Sequence, residues 1–341
     1  MPAVCFWVQR VILPRSSPLE RPDCKAISKA IQFKPDDHEA WHNRGVALNE
    51  LGRDEEAIAS YDKAIQFKPD KHEAWYNRGN ALFNLGRYEE AIASYDKAIQ
   101  FKPDYHEAWN NRGNALKGIG RYEEAIASFD QALQFKPDYH VAWNNRGIAL
   151  DDLGRYDDLG RYEEAIASYD KAIQFKPDYH EAWNNRGNAL LSLGRYEEAI
   201  ASFDQALQCK PDKHEAWYNR GVALGNLGRY EEAIASYDKA IQFKPGCHGT
   251  WNNRGNALKG IGRYEEAIAS FDKAIQFKPD YHYPWYGKAV CYVKQGQVDK
   301  AIDHLRQAIK LNSQARDWAK TDSAFAPIRQ DPRFQALIQE P

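Results

Sequence analysis

Residues 106–139, HEAWNNRGNALKGIGRYEEAIASFDQALQFKPDY, return in near-copies on both sides, and this recurrence constrains the fold more than any other feature of the chain. Aligned on tryptophan, the copies are anchored at Trp41, Trp75, Trp109, Trp143, Trp183, Trp217, Trp251 and Trp285. Their spacing is 34 residues, apart from 40 between Trp143 and Trp183. A fixed period of about 20 to 50 residues marks a stacked-repeat architecture in which each unit contacts mainly its neighbours. The 341 residues are therefore read as one elongated domain and not as two globular ones.

Two helices are written into the unit. Trp109, Gly113 and Leu116 recur at intervals of three and four and predict a first helix from about Glu107 to Ile119; Ala125, Phe129 and Ala132 predict a second from about Tyr122 to Lys136. Gly120 ends the first because glycine tolerates the left-handed backbone of a helix C-terminus. Pro137 ends the second because it cannot continue the hydrogen-bond ladder. Asp104, followed three residues later by Glu107, predicts a capping box that satisfies the first free N–H groups. Gly113, Ala125 and Ala132 are small where backbones would approach closely, while Trp109, Leu116, Tyr122 and Phe129 fill the space between. One such hairpin leaves an apolar side bare, which only the next hairpin can cover. The predicted fold is all-α, a solenoid of stacked antiparallel helix pairs.

The chemistry classes narrow quickly. Lys plus Arg number 46 against 48 Asp plus Glu, a balance that gives no long-range field to recruit nucleic acid or an anionic membrane. No apolar run approaches the ~18 residues a membrane span needs, so no membrane insertion is expected. The start MPAVCFWVQRVILP is apolar but lacks a basic beginning and is broken by Gln9 and Arg10, so residues 1–24 are read as an irregular leader. Cys5, Cys24, Cys209, Cys247 and Cys291 show no metal-type spacing, which fits reduced thiols and a cytoplasmic protein. One histidine recurs per repeat (His38, His72, His106, His140, His180, His214, His248, His282), yet stacked helices lie about 8–10 Å apart, too far for one metal held at about 2 Å from each nitrogen. His38 and His42, four apart on a helix, could chelate a metal weakly; the reading is ordinary surface histidines. No glycine-rich phosphate loop, nucleophile elbow or HExxH occurs. The reading is a non-enzyme with no catalytic residue, metal or cofactor.

Trp109, Gly113, Leu116, Ala125, Phe129, Ala132 and Pro137 stand at the offsets of the tetratricopeptide repeat (TPR), and the chain closely resembles that family through eight units. The resemblance implies a right-handed superhelix of helix pairs and a protein-binding function. The chain departs from the family in the 40-residue gap and in one row: where a leucine usually precedes the glycine, it carries Arg44, Arg78, Arg112, Arg146, Arg186, Arg220 and Arg254, with Lys288 last. A cation in a packed row must snorkel or find a partner.

The units are assigned to 38–71, 72–105, 106–139, 140–179, 180–213, 214–247, 248–281 and 282–315, preceded by a half repeat at 25–37 and followed by capping helices in 316–341. The long fourth unit contains DDLGRY twice, at 151–156 and 157–162. Six extra residues inside a helix would turn its apolar face away by about 1.7 turns, so a looped-out bulge is expected near 152–160. The seventh unit has Gly246 and Gly249 in place of the Asp and Glu of the capping box, and its first helix is expected to begin least firmly.

Among copies this alike, variation says more than identity. The positions one, five, eight and nine after each tryptophan change from unit to unit and share a helical stripe distinct from the packed one. They include Tyr76 and Tyr218 at the first offset, Asn80, Asn114, Asn188 and Asn256 at the second, and Lys117 and Lys259 at the third. In the family the corresponding stripe lines the concave groove that holds a partner segment; neutral variation on a solvated face is the alternative. Two after the tryptophan runs a constant row, Asn43, Asn77, Asn111, Asn145, Asn185, Asn219 and Asn253. An amide both donates and accepts, so it can pair with any peptide bond. The row resembles the asparagine ladder in the repeat arm of O-linked N-acetylglucosamine transferases, which implies a grip on an extended backbone; copied solvent-facing groups are the alternative. Chaperone-tail receptors of the family use a cationic clamp partly at the place where this chain has Glu39, Glu73, Glu107, Glu181 and Glu215, which argues against an anionic chain terminus as ligand. The leading expectation is an interaction scaffold binding an extended protein segment. The other is the targeting arm of a multi-protein enzyme complex or an assembly chaperone.

Overall fold

The computed structural model describes residues 29–154 and 160–339, and all regular structure among them is helical. The fold divides into two compact bodies between Ala149 and Leu150, inside one helix. In the first body three helix pairs follow one another: α1 (His38–Glu50) with α2 (Asp54–Phe67), α3 (His72–Asn84) with α4 (Tyr88–Phe101), and α5 (His106–Gly118) with α6 (Tyr122–Phe135). The helix α7 (His140–Gly154) carries the division. The second body continues with α8 (Gly160–Phe175), then the pairs α9 (His180–Ser192) and α10 (Tyr196–Cys209), α11 (His214–Asn226) and α12 (Tyr230–Phe243), α13 (His248–Gly260) and α14 (Tyr264–Phe277), and α15 (His282–Lys294) and α16 (Val298–Leu311). It ends in α17 (Gln314–Thr321), a 3₁₀ turn (Ser323–Ile328) and α18 (Pro332–Gln339).

In most hairpins the spacing is set by one glycine and one ring. Tyr61, Tyr95, Phe129, Phe203 and Phe271 are fully buried, and each lies against a glycine of the partner helix. A Cβ built on Gly113 would stand 2.6 Å from the Phe129 ring, and one on Gly79 would stand 2.5 Å from the Tyr95 ring, so no larger residue fits without moving the helix. The turn between the two helices is set by a second glycine, Gly120 at φ +78 and Gly194 at φ +73, in the left-handed conformation the sequence predicts. Tryptophan packs half-buried, its indole N–H donating to the carbonyl of the preceding turn's proline, as from Trp109 Nε1 to Pro103 O at 2.9 Å.

The capping box does not form. The N-cap of α5 is Tyr105, with no side-chain cap, and it is the backbone carbonyl of Asp104 that accepts from His106 N at 2.9 Å. Asp104 lies one residue too early for its carboxylate to reach the first turn. In the first repeat Asp37 occupies the place of Tyr105, and its side chain does accept, from Glu39 N and Ala40 N. The expected weak start of the seventh repeat loses its basis, since α13 has the usual 13 residues and lacks no cap that α5 possesses.

The hexapeptide duplication is partly absorbed by its helices. α7 has 15 residues and α8 has 16, against 13 and 14 in α5 and α6. Gly154, the counterpart of Gly120, is the last residue of α7, and Gly160 is the first of α8. The bulge expected near 152–160 therefore excludes 152–154 and 160, and its remainder at 155–159 lies outside the described residues. Two residues added at a helix end make about half a turn beyond the packed stretch, which leaves the apolar face in register. The leader 1–24 also lies outside the described residues; of the half repeat 25–37, residues 29–33 are helical.

The C-terminal end buries Phe325, Ile328, Phe334 and Leu337 against Val290, Val293, Ile302 and Leu305 of the eighth repeat. Tyr286 donates its hydroxyl to Asp322 Oδ2 at 2.8 Å, which fixes the 3₁₀ turn to α15.

Candidate functional site

Two neighbouring residues of the first helix in seven of the eight repeats, the asparagine and the arginine after it, point to different surroundings. Arg112 on α5 donates from Nε to Asp96 Oδ1 on α4 and from Nη1 to Ser128 Oγ on α6, both at 2.6 Å. Ser128 is buried and donates in turn to the Glu124 carbonyl at 2.8 Å. The guanidinium stands 5.9 Å from the Trp109 ring centroid, within cation–π range. One side chain thus joins three successive helices. Arg78 does the same in the first body, and Arg186, Arg220 and Arg254 do so in the second. At the last position Lys288 keeps only the carboxylate half, to Asp272 at 2.6 Å. The arginine row is a clip between repeats. Its partners lie 16 residues before and 16 after it, on other helices, so nothing in the linear pattern singles them out.

The variable stripe opens on pockets. In the first body a pocket of about 240 Å³ is lined by Asn80, Phe83, Asn84 and Tyr95 of one repeat and Asn111 and Asn114 of the next. In the second body the same helical positions line one of about 460 Å³: Val222, Gly225, Asn226, Tyr230 and Tyr237, with Asn253, Asn256, Ala257, Lys259 and Gly260 of the next repeat. The tyrosines Tyr95 and Tyr237 on the second helices are pocket residues that sequence reasoning assigned only to packing. Burial pushes both phenols well above their ordinary pKa, so they stay neutral.

The asparagine row is engaged along the chain. Asn111 Nδ2 donates to Asn80 Oδ1 at 2.9 Å and to Tyr76 OH at 3.1 Å, and its own oxygen accepts from Asn110. Asn253 Nδ2 donates to Tyr218 OH at 3.1 Å, Asn219 Nδ2 to Asn188 Oδ1 at 2.8 Å, and Asn145 Nδ2 to Asn110 Oδ1 at 3.1 Å. Asn77 meets the His42 ring at 2.9 Å, and Asn185 also has a partner. Asn43 in the first repeat is exposed. Asn77, Asn111, Asn145, Asn219 and Asn253 thus each reach the preceding repeat, and the row is more than a set of free amides. Asn114 and Asn256 face the pockets instead. Lys259 lines the second pocket, where desolvation lowers its pKa; Lys117 has a partner and does not line the first.

The histidines are not plain surface groups. His106 packs edge-on against Tyr139 at 5.1 Å and His248 against Tyr281 at 5.0 Å, each ring contacting the last residue of its own repeat, just before the next helix begins. Burial lowers the pKa of both. Among the described residues no cluster of His, Cys, Asp or Glu could hold a metal ion. None of the described helices is long and apolar enough to cross a membrane.

These hairpins define an α-solenoid repeat protein. Family models described as TPR repeat or tetratricopeptide repeat match 26–59, 47–86, 79–120, 106–139, 157–214, 214–247, 249–281 and 282–314, and the chain belongs to the tetratricopeptide repeat family. No curated protein matches it in sequence. Among solved structures, a tetratricopeptide repeat protein from Parabacteroides merdae is 18% identical, with TM-score 0.53, over 73% of this chain and 97% of that one. The Cut9–Hcn1 hetero-tetramer of the APC/C is 15% identical, with TM-score 0.52, over 92% of this chain and 59% of that one. YrrB, a TPR protein with an unusual peptide-binding site, is 23% identical, with TM-score 0.47, over 56% of this chain and 95% of that one. At these identities the likeness is one of fold alone.

Proposed function

We propose that the stripe face of this array holds an extended segment of a partner protein. Members of the family generally serve as protein-interaction scaffolds, and that coarser role applies to this chain. The observation supporting the finer reading is that positions varying most between near-identical repeats line pockets in both bodies, at the same helical offsets and beside the same asparagine row. A pocket at the same offsets in each body suits an extended chain presenting side chains to such openings. Asn114 and Asn256 offer amide groups to its backbone, and Phe83 and Tyr230 offer ring surface to its side chains.

Photo-crosslinking tests this reading. A benzophenone side chain is placed either at Asn256 in the second pocket or at Glu231, an exposed residue in the first turn of α12, and each protein is irradiated with peptides selected from a random library on the wild type. Crosslinks from position 256 and none from 231 are expected. Equal yields from both positions, or a selection that returns no peptide, would overturn the proposal.

A further inference from the structure

The two pockets occupy equivalent positions and yet are built for different side chains. In the first, the position eight after tryptophan is Phe83, whose ring packs edge-on against Tyr88 at 5.3 Å. In the second it is Gly225, and the space a side chain would fill is open; a Cβ there would meet only the Tyr237 hydroxyl, at 3.8 Å. That opening accompanies the larger volume, about 460 Å³ against 240 Å³, and brings Lys259 of the next repeat into the lining. The first pocket has no ionisable cation among its lining residues.

Lys259 is unusual among the cations of this chain. Desolvation lowers its pKa, the only acidic groups that touch its titration are Cys291 and Asp322, and among the described residues no carboxylate forms an ion pair with it. Asp322 is already engaged by the Tyr286 hydroxyl and by Ala324 N. The Cys291 thiol is buried and pushed up to about 11, so it remains uncharged and cannot neutralise an ammonium. A second donor lies in the same pocket. In the first body the Tyr95 hydroxyl is taken by Asn80 Oδ1 at 2.9 Å, but in the second the acceptor's place is held by Val222, and the Tyr237 hydroxyl has no hydrogen-bond partner among the described residues.

From these observations we infer that the pocket bounded by Gly225, Tyr237, Asn256 and Lys259 is a subsite for an acidic side chain, Asp or Glu, of the bound segment. The inference rests on the groove reading above. A desolvated ammonium with no carboxylate in ion-pair contact, only the field of Asp322 farther off, gains more from a carboxylate than an exposed one does, and a neutral phenol and an amide N–H complete the donors a carboxylate accepts. The other pocket, with four asparagines and Phe83, takes neutral side chains. The anion is taken as a side chain and not a chain terminus, because the segment of the groove reading is an extended chain that runs on past the pocket.

The test uses random 12-residue peptides blocked at both ends, selected on the full-length protein, on Lys259→Met and on Gly225→Phe, with circular dichroism confirming helicity for each. The wild type is expected to enrich Asp or Glu at one position at least fivefold, and both variants to lose that enrichment while still selecting peptides. A parallel library with free C-termini should show no preference for a terminal carboxylate. Selected peptides without acidic enrichment, or an enrichment that survives both variants, would overturn the subsite and leave the groove reading standing. Enrichment that depends on a free C-terminus would also overturn it. A wild type that selects no peptide would overturn both.

Discussion

Asn111 and Arg112 are adjacent in sequence and serve opposite ends. The arginine reaches Asp96 and Ser128 on the flanking second helices and closes the stack, in an arrangement repeated with little change in both bodies. The asparagine reaches Asn80 and Tyr76, residues that differ from repeat to repeat, and borders a pocket. Neighbours on an α-helix project about 100° apart. That rotation is enough to separate an edge where the copies stay nearly alike from a face where the residues around the constant asparagine differ. The packed edge confines variation to close substitutes, Tyr or Phe for the ring and one Lys for the clip, because ring, glycine and clip fit one another; the pocket face permits more because its changes alter a cavity and not the stack.

If this separation holds, changes on the packed side cost stability and changes on the pocket side cost binding. The largest effect is expected from Phe129→Ala, which empties a fully buried ring site and should destabilise the array by about 3–5 kcal/mol in urea denaturation, whereas a loss below about 1 kcal/mol would show that the hairpin is not organised by that ring. Arg112→Met keeps the aliphatic stem and removes the clip. With Asp96 half exposed, the loss should be about 1–2 kcal/mol, and a double-mutant cycle with Asp96→Asn should show coupling; two additive losses would mean that the clip is not a joint.

A smaller effect follows from pH. His42, His106, His180, His214, His248 and His282 have pKa values held below the ordinary 6.5, chiefly by burial. The unfolded chain therefore binds more protons than the folded one as pH falls below 6.5, so their contribution is complete above that value and declines beneath it. The melting temperature should drop by a few degrees between pH 7.5 and 5.5. A flat or rising profile would mean that these rings are not held neutral by packing. The smallest stability effect belongs to the pocket face: Asn114→Ala should change unfolding by less than about 0.5 kcal/mol.

The helices, the glycine turn and the stacking were legible because each rests on local spacing: Gly120 needs only its own φ, and Gly113 only a ring 16 residues on. The capping box was misread by one residue. Asp104 and Glu107 have the right spacing, but the helix starts a step later, and only Asp37 is in phase with it. The arginine partners were hidden because repetition copies the aspartate and serine along with everything else. The stripe was visible as variation, but the contrast between Phe83 and Gly225 becomes a difference in volume and charge only once the next repeat is laid against them. The links that the asparagine row makes to other repeats were not legible, because acceptors such as Asn80 and Tyr76 lie 31 and 35 residues earlier on another helix.

The most direct test of the central claim is a titration of a wild-type-selected peptide against two double variants, Asn114→Ala with Asn256→Ala on the pocket face, and Glu123→Ala with Glu231→Ala on exposed second-helix positions. A weakening of about tenfold or more by the first pair, equivalent to about 1.4 kcal/mol, with the second pair unchanged, is the result predicted. Equal affinities for the two would contradict it.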